Sequence, residues 1–173
     1  MKTIMSAVVA GVLMLGTTMA MAQAAPNDAQ IAGIVVAANT VDINAGKAAK
    51  SKSHNKEVKE FAQRMITDHS GVNKQATALV TKLHVKPEDS ATSKSLKDGG
   101  VANLKHLGTL KGEAFDKAYI DNEVTYHQAV LDAIDKTLLP SAQNAELKDL
   151  ITKVRPAIDA HLQHAQKIQA SMK

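Results

Sequence analysis

The chain has 173 residues, 45% hydrophobic and 22% charged, which is enough for one cored domain and too short for two large ones. Its formal charge of +4 is a mild basic balance, fitting a soluble protein with weak attraction to envelope lipid or polysaccharide and arguing against nucleic acid as a partner. The absence of cysteine excludes disulfides, zinc ribbons, thiol catalysis and a lipidated cysteine, and two Phe with two Tyr are too few for a large β-sandwich or a base-stacking platform.

Met1 and Lys2 lead into an apolar stretch from Ile4 to Leu15, and Ala20-Met21-Ala22 has the small-x-small form that signal peptidase reads. The apolar core is about a dozen residues, short of the roughly 20 that span a bilayer as a helix, so cleavage after Ala22 is expected. Residues 1–22 thus read as a cleavable signal peptide, residues 23–173 as the domain, and the periplasm as its compartment.

Asn27 with Gln30 three residues later resembles a capping pair, and Ile31, Val35, Ala38, Asp42, Ala45 and Ala49 follow at alternating steps of four and three. That spacing predicts an amphipathic helix. Ser51 to Asn55 is turn-like, and Val58, Ala62, Met65, His69, Val72, Ala76, Leu79 and Leu83 then repeat the rhythm as a second long helix. Pro87 to Ser90 breaks the run. The next segment is weaker and is interrupted by Gly99-Gly100, which predicts a crossover of short or broken helix.

From Glu113 a third long helix carries Ile120, Val124, His127, Leu131, Ile134 and Leu138 and is closed by Pro140. Ser141 is the expected cap of the last helix, whose stripe is Leu147, Ile151, Val154, Ile158, His161, Ala165 and Ile168, with a kink expected at Pro156. The prediction is an all-α, ferritin-like four-helix bundle with a long crossover between the second and third long helices. An up-and-down bundle with a decorated loop is the alternative. No phosphate loop, nucleophile elbow or Walker motif appears in the sequence.

Each long stripe holds a polar residue where an apolar one is expected: Asp42, His69, His127 and His161. The midpoint of Asp42 and His69 falls in the first turn and that of His127 and His161 at Asn144, so each pair should lie at one depth. Glu123, four residues before His127, can face the same interior, with Asp116 further back and Asp68 beside His69. Imidazoles and carboxylates converging from several helices suit a transition metal, Zn, Mn, Fe or Cu. The competing reading is a metal-free polar network that fixes helix register.

The set does not suit a carboxylate-rich di-iron centre, because neither His69 nor His161 has Glu three residues before it. His54, His84 and His106 fall in turns or the crossover and His164 lies three residues from His161, and all four read as solvated. So does the cluster Lys47, Lys50, Lys52, Lys56 and Lys59.

Val58-Lys59-x-Phe61-Ala62-x-x-Met65-x-x-Asp68-His69, Phe115-Asp116-x-x-Tyr119, His127 and Pro156-x-x-x-x-His161-Leu162 together form a pattern. It resembles a widespread bacterial family of exported proteins classed as a domain of unknown function, over roughly Asp28 to Ile168. The resemblance implies a ferritin-like helical bundle in the periplasm or outer envelope and no particular activity. Members often carry Glu on the first helix where this chain has the shorter Asp42.

The leading functional expectation is a periplasmic bundle binding a transition metal through His69, His127 and His161, with Asp42 or Glu123 completing the set, in oxidative or envelope stress. A metal-free structural or interaction protein of the envelope is the second reading, and an oxidoreductase using an open metal position the third. A monomer or weak dimer is expected.

Overall fold

The computed structural model describes residues 25–172, so the expected signal peptide lies outside the described residues. The regular structure of these residues is all helical, with no strand among them. The long elements are α1 (Asp28–Lys52), α2 (Lys56–Lys82), α3 (Ala91–Thr109) and α4 (Gly112–Ala133). A π-helical turn (Ile134–Leu138), the one-turn α5 (Leu139–Ser141) and the long α6 (Ala145–Ser171) follow. No described helix is long and apolar enough to cross a membrane.

Helix α1 starts as its sequence predicts: the Asn27 side chain accepts from the Gln30 amide at 2.8 Å and the Gln30 side chain accepts from the Asn27 amide at 3.2 Å. Asn55 caps α2 by accepting from the Glu57 and Val58 amides, which fixes the short turn between the two helices. Helix α1 packs along α2, α4 along α6, and α2 against α6, whereas α1 and α4 meet sparsely.

Three local expectations are corrected. The crossover contains one continuous 19-residue helix, α3, which runs through Gly99-Gly100 and lies on α1. A Cβ on Gly100 would stand 2.8 Å from Val41 Cγ2, so that glycine is where the two helices approach closely. The last helix is capped by Asn144 and not Ser141: the Asn144 side chain accepts from Glu146 and Leu147, while Asp28 Oδ1 and Oδ2 accept from the Gln143 and Asn144 amides, each at 2.9 Å. The third long helix widens into a π turn before Pro140, whose ring and missing N–H disfavour a regular α register across that point. Helix α6 carries Pro156 inside one helical element, Ala145–Ser171.

The core falls into two apolar clusters. One gathers Ala49, Phe61, Met65, Phe115, Tyr119 and Ile168, and the other Ile31, Leu131, Ile134, Leu147, Ile151 and Ile158. On every one of the four long inward stripes the polar residue lies where the chain passes between them.

Candidate metal centre

Asp42 on α1, His69 on α2, Glu123 and His127 on α4, and His161 on α6 are all buried, each no more than 4% exposed. The three imidazoles form a nearly equilateral triangle, with ring centroids 5.7 Å apart for His69 and His127, 5.3 Å for His69 and His161, and 5.5 Å for His127 and His161. The convergence rests on the two turns. Asn55 and Asn144 cap α2 and α6 close to the sequence midpoints of the two pairs, which brings equal depths together.

Each ring has one nitrogen committed to the protein. Nδ1 of His69 lies 2.7 Å from Asn39 Oδ1, and the Asn39 amide is oriented by donating from Nδ2 to the Val35 carbonyl at 2.9 Å. Nδ1 of His127 lies 2.9 Å from the Glu123 backbone carbonyl, and Nε2 of His161 lies 2.9 Å from Asp68 Oδ2. A carbonyl, an amide oxygen and a carboxylate can only accept, so these ring nitrogens carry the protons. The remaining nitrogens, His69 Nε2, His127 Nε2 and His161 Nδ1, are then lone pairs, and each is buried without a hydrogen-bond partner.

Asp42 stands against two of them, and with the neighbouring Glu123 carboxyl ionised neither of its oxygens has a hydrogen-bond partner. Its Oδ2 lies 2.8 Å from His69 Nε2 and 3.3 Å from His127 Nε2, and at neither contact does the ring geometry make a hydrogen bond. One nitrogen from each imidazole lies within 4.8 Å of the other two, and Asp42, Glu123 and His127 form a second such triad, so the five predicted residues make two overlapping triads that share His127.

Burial sets the electrostatics. It pushes the Glu123 carboxyl well above the usual 4.5, reinforced by the neighbouring Asp42 charge, which favours the neutral acid. For Asp42, burial pushes upward but is outweighed by the charge His69 acquires on protonation, with His127 adding to it, and the carboxyl is held below 3.8. Burial lowers His127 against the pull of Asp42, and brings His161 down to about 4 despite its bond to Asp68. His127 and His161, held neutral by burial, are in the protonation state that metal binding requires of an imidazole.

The sequence reading missed Asn39, which is 5% exposed and orients His69. The available signal was its position three residues before Asp42, on the same helical face. Asp68, half-exposed, serves His161 across the helix interface and not its neighbour His69. Asp116 is buried near the far end of α4, outside both triads. His54, His84 and His106 are exposed, and His164 packs edge-on against Phe61 at 5.3 Å. Among the lysines, Lys52 donates to the Leu107 and Gly108 carbonyls and sits 5.1 Å from the Phe115 ring centre, tying α1 to the end of α3.

The family described as "Domain of unknown function (DUF4142)" matches residues 14–168. No curated protein and no solved structure matches the chain.

Proposed function

The chain belongs to the DUF4142 family, whose description assigns no activity, and from its own buried layer we propose that it binds one transition-metal ion through His69, His127 and His161, with Asp42 as the carboxylate ligand. One observation carries the reading: three buried imidazoles, each with an unpartnered ring nitrogen, converge in the core, and two of those nitrogens stand against the Asp42 carboxylate, acceptor against acceptor. Such a set is costly to bury without a cation or protons between its members.

The spacing supports it. With bonds of about 2.0–2.1 Å, ligand atoms are separated by about 3.3 Å along a tetrahedral edge and about 2.9 Å along an octahedral one. The Asp42 contacts of 3.3 and 2.8 Å are close to these edges. Imidazoles bound tetrahedrally at that bond length have centroids about 5.2 Å apart, against 5.3–5.7 Å here. Asn39, the Glu123 carbonyl and Asp68 supply the outer hydrogen bonds that fix ligand tautomers. Zn, Mn, Fe and Cu all suit an imidazole and carboxylate set.

We assign this binding to a ferritin-like bundle of α1, α2, α4 and α6 in the periplasm, buffering a metal in envelope or oxidative stress. The second reading, a metal-free register network, is favoured by the 2.8 Å approach of His69 to Asp42, which a proton on Nε2 would turn into an ion pair. Elemental analysis of the untagged mature protein separates the two. The metal reading gives about one ion per chain, and a metal-free, fully folded protein that takes up none of the four ions contradicts it. The mass of the exported chain tests the compartment: it should begin at Gln23.

A further inference from the structure

Where α1 and α4 meet sparsely, the gap between them is a cavity of about 140 Å3 beside the histidine layer. Ile34, Leu96, Val130, Leu138, Ile151 and Ile158 supply apolar walls from α1, α3, α4, the π turn and α6. Two polar side chains reach its inner end, and both are already satisfied. The Tyr126 hydroxyl donates to the Ala38 carbonyl at 2.9 Å, and Asn39 spends its amide on Val35 and its oxygen on His69. Thr92, at the exposed rim, is the other polar lining residue.

We propose that this cavity binds a small apolar molecule, aromatic or short-chain aliphatic, of about benzene size. The volume is close to that of engineered apolar cavities of about 150 Å3 that take up benzene or xenon, and this one opens to solvent past Thr92 and Ala129. A water needs two or more polar partners, which the inner walls do not offer. A charged or strongly hydrogen-bonding ligand would lose its solvation there without compensation.

The position gives a bound molecule a route to the polar layer. Asn39 lines the cavity and holds His69, and the Tyr126 ring lies 6.2 Å from that of His127. A ligand seated against these two side chains would therefore be sensed by the histidines without touching them. The proposal does not depend on a metal being bound.

Titration of the metal-free mature protein with benzene, followed by two-dimensional NMR, tests it. Saturable shifts are expected at the Leu96, Ile134 and Leu138 methyls and at the Tyr126 ring. Ala133→Leu, which fills the cavity, and Ala129→Leu, which narrows its exposed mouth, should each weaken binding at least tenfold. His54→Ala, in the exposed first turn away from the cavity, should leave it unchanged. Shifts that stay linear to the solubility limit, or that persist equally in both filled variants, would overturn the proposal. If one filled variant does not fold, the other decides.

Discussion

Asn39 and His69 are joined by a 2.7 Å contact inside the core, and the donor in that contact is settled by a third group: Asn39 gives its own amide hydrogen to the Val35 carbonyl, so its oxygen must face the ring. This places the proton on Nδ1 of His69 and leaves Nε2 as a lone pair toward Asp42. Asn39→Leu should strand the buried N–H, costing about 1–3 kcal/mol in urea unfolding, and should weaken metal binding about 10–100-fold. Asn39→Asp, which keeps an acceptor, should lose less affinity. An Asn39→Leu protein with unchanged stability and affinity would show that the contact orients nothing.

The adjacent glycines of α3 should respond to alanine with opposite signs. A Cβ on Gly100 would lie 2.8 Å from one Val41 methyl and 2.9 Å from the other, whereas one on Gly99 meets nothing within 4 Å. Gly100→Ala should destabilise by about 1–3 kcal/mol through overpacking. Gly99→Ala should stabilise by about 0.5–1 kcal/mol through helix propensity. Chemical denaturation of both variants checks the docking of α3 on α1, and equal effects would contradict it.

Helix existence, helix faces and the depth of the polar layer were legible because they follow from the 3.6-residue period, the Asn27 cap and the polar turn ending at Asn55. The continuity of α3 was not. Two glycines lower helix propensity, and only the close approach to Val41 on another helix shows why Gly100 is tolerated there. Ser141 and Asn144 are both good caps, and the choice between them rests on Asp28 holding the Gln143 and Asn144 amides from over a hundred residues away. Asn39 was hidden because a polar residue inside a helix reads as solvent-facing unless its long-range partner is known. The pairing of Asp68 with His161 depends likewise on how α2 meets α6.

The metal-free protein should lose stability in mild acid in part through His161. Burial lowers its pKa from 6.5 to about 4, with Asp68 opposing and the charges His69, His127 and Arg64 can carry adding to the effect. The unfolded chain therefore takes up a proton at this residue as the pH falls through about 6.5, and the folded chain does so only near 4. Stability from this group is full above 6.5 and falls between 6.5 and about 4, by at most about 1.4 kcal/mol per pH unit for one proton. Glu123, raised by burial, works in the opposite direction. The pH dependence should therefore be compared between wild type and His161→Gln, whose curve should be flatter over that window. Parallel curves would contradict the buried neutral imidazole.

Metal binding by the buried histidines is tested most simply by the melting temperature of the mature protein with and without Zn, Mn, Fe or Cu. An ion that binds only the folded chain at a hundredfold excess over Kd stabilises by about 2.7 kcal/mol, a shift of about 5–10 °C for a domain of this size. A metal held in the buried layer gives such a shift for at least one of these ions, lost in His127→Leu and His161→Leu and retained in His54→Ala and His164→Ala. No shift with any of the four, or a shift that survives His127→Leu, would contradict a metal held by the buried histidines.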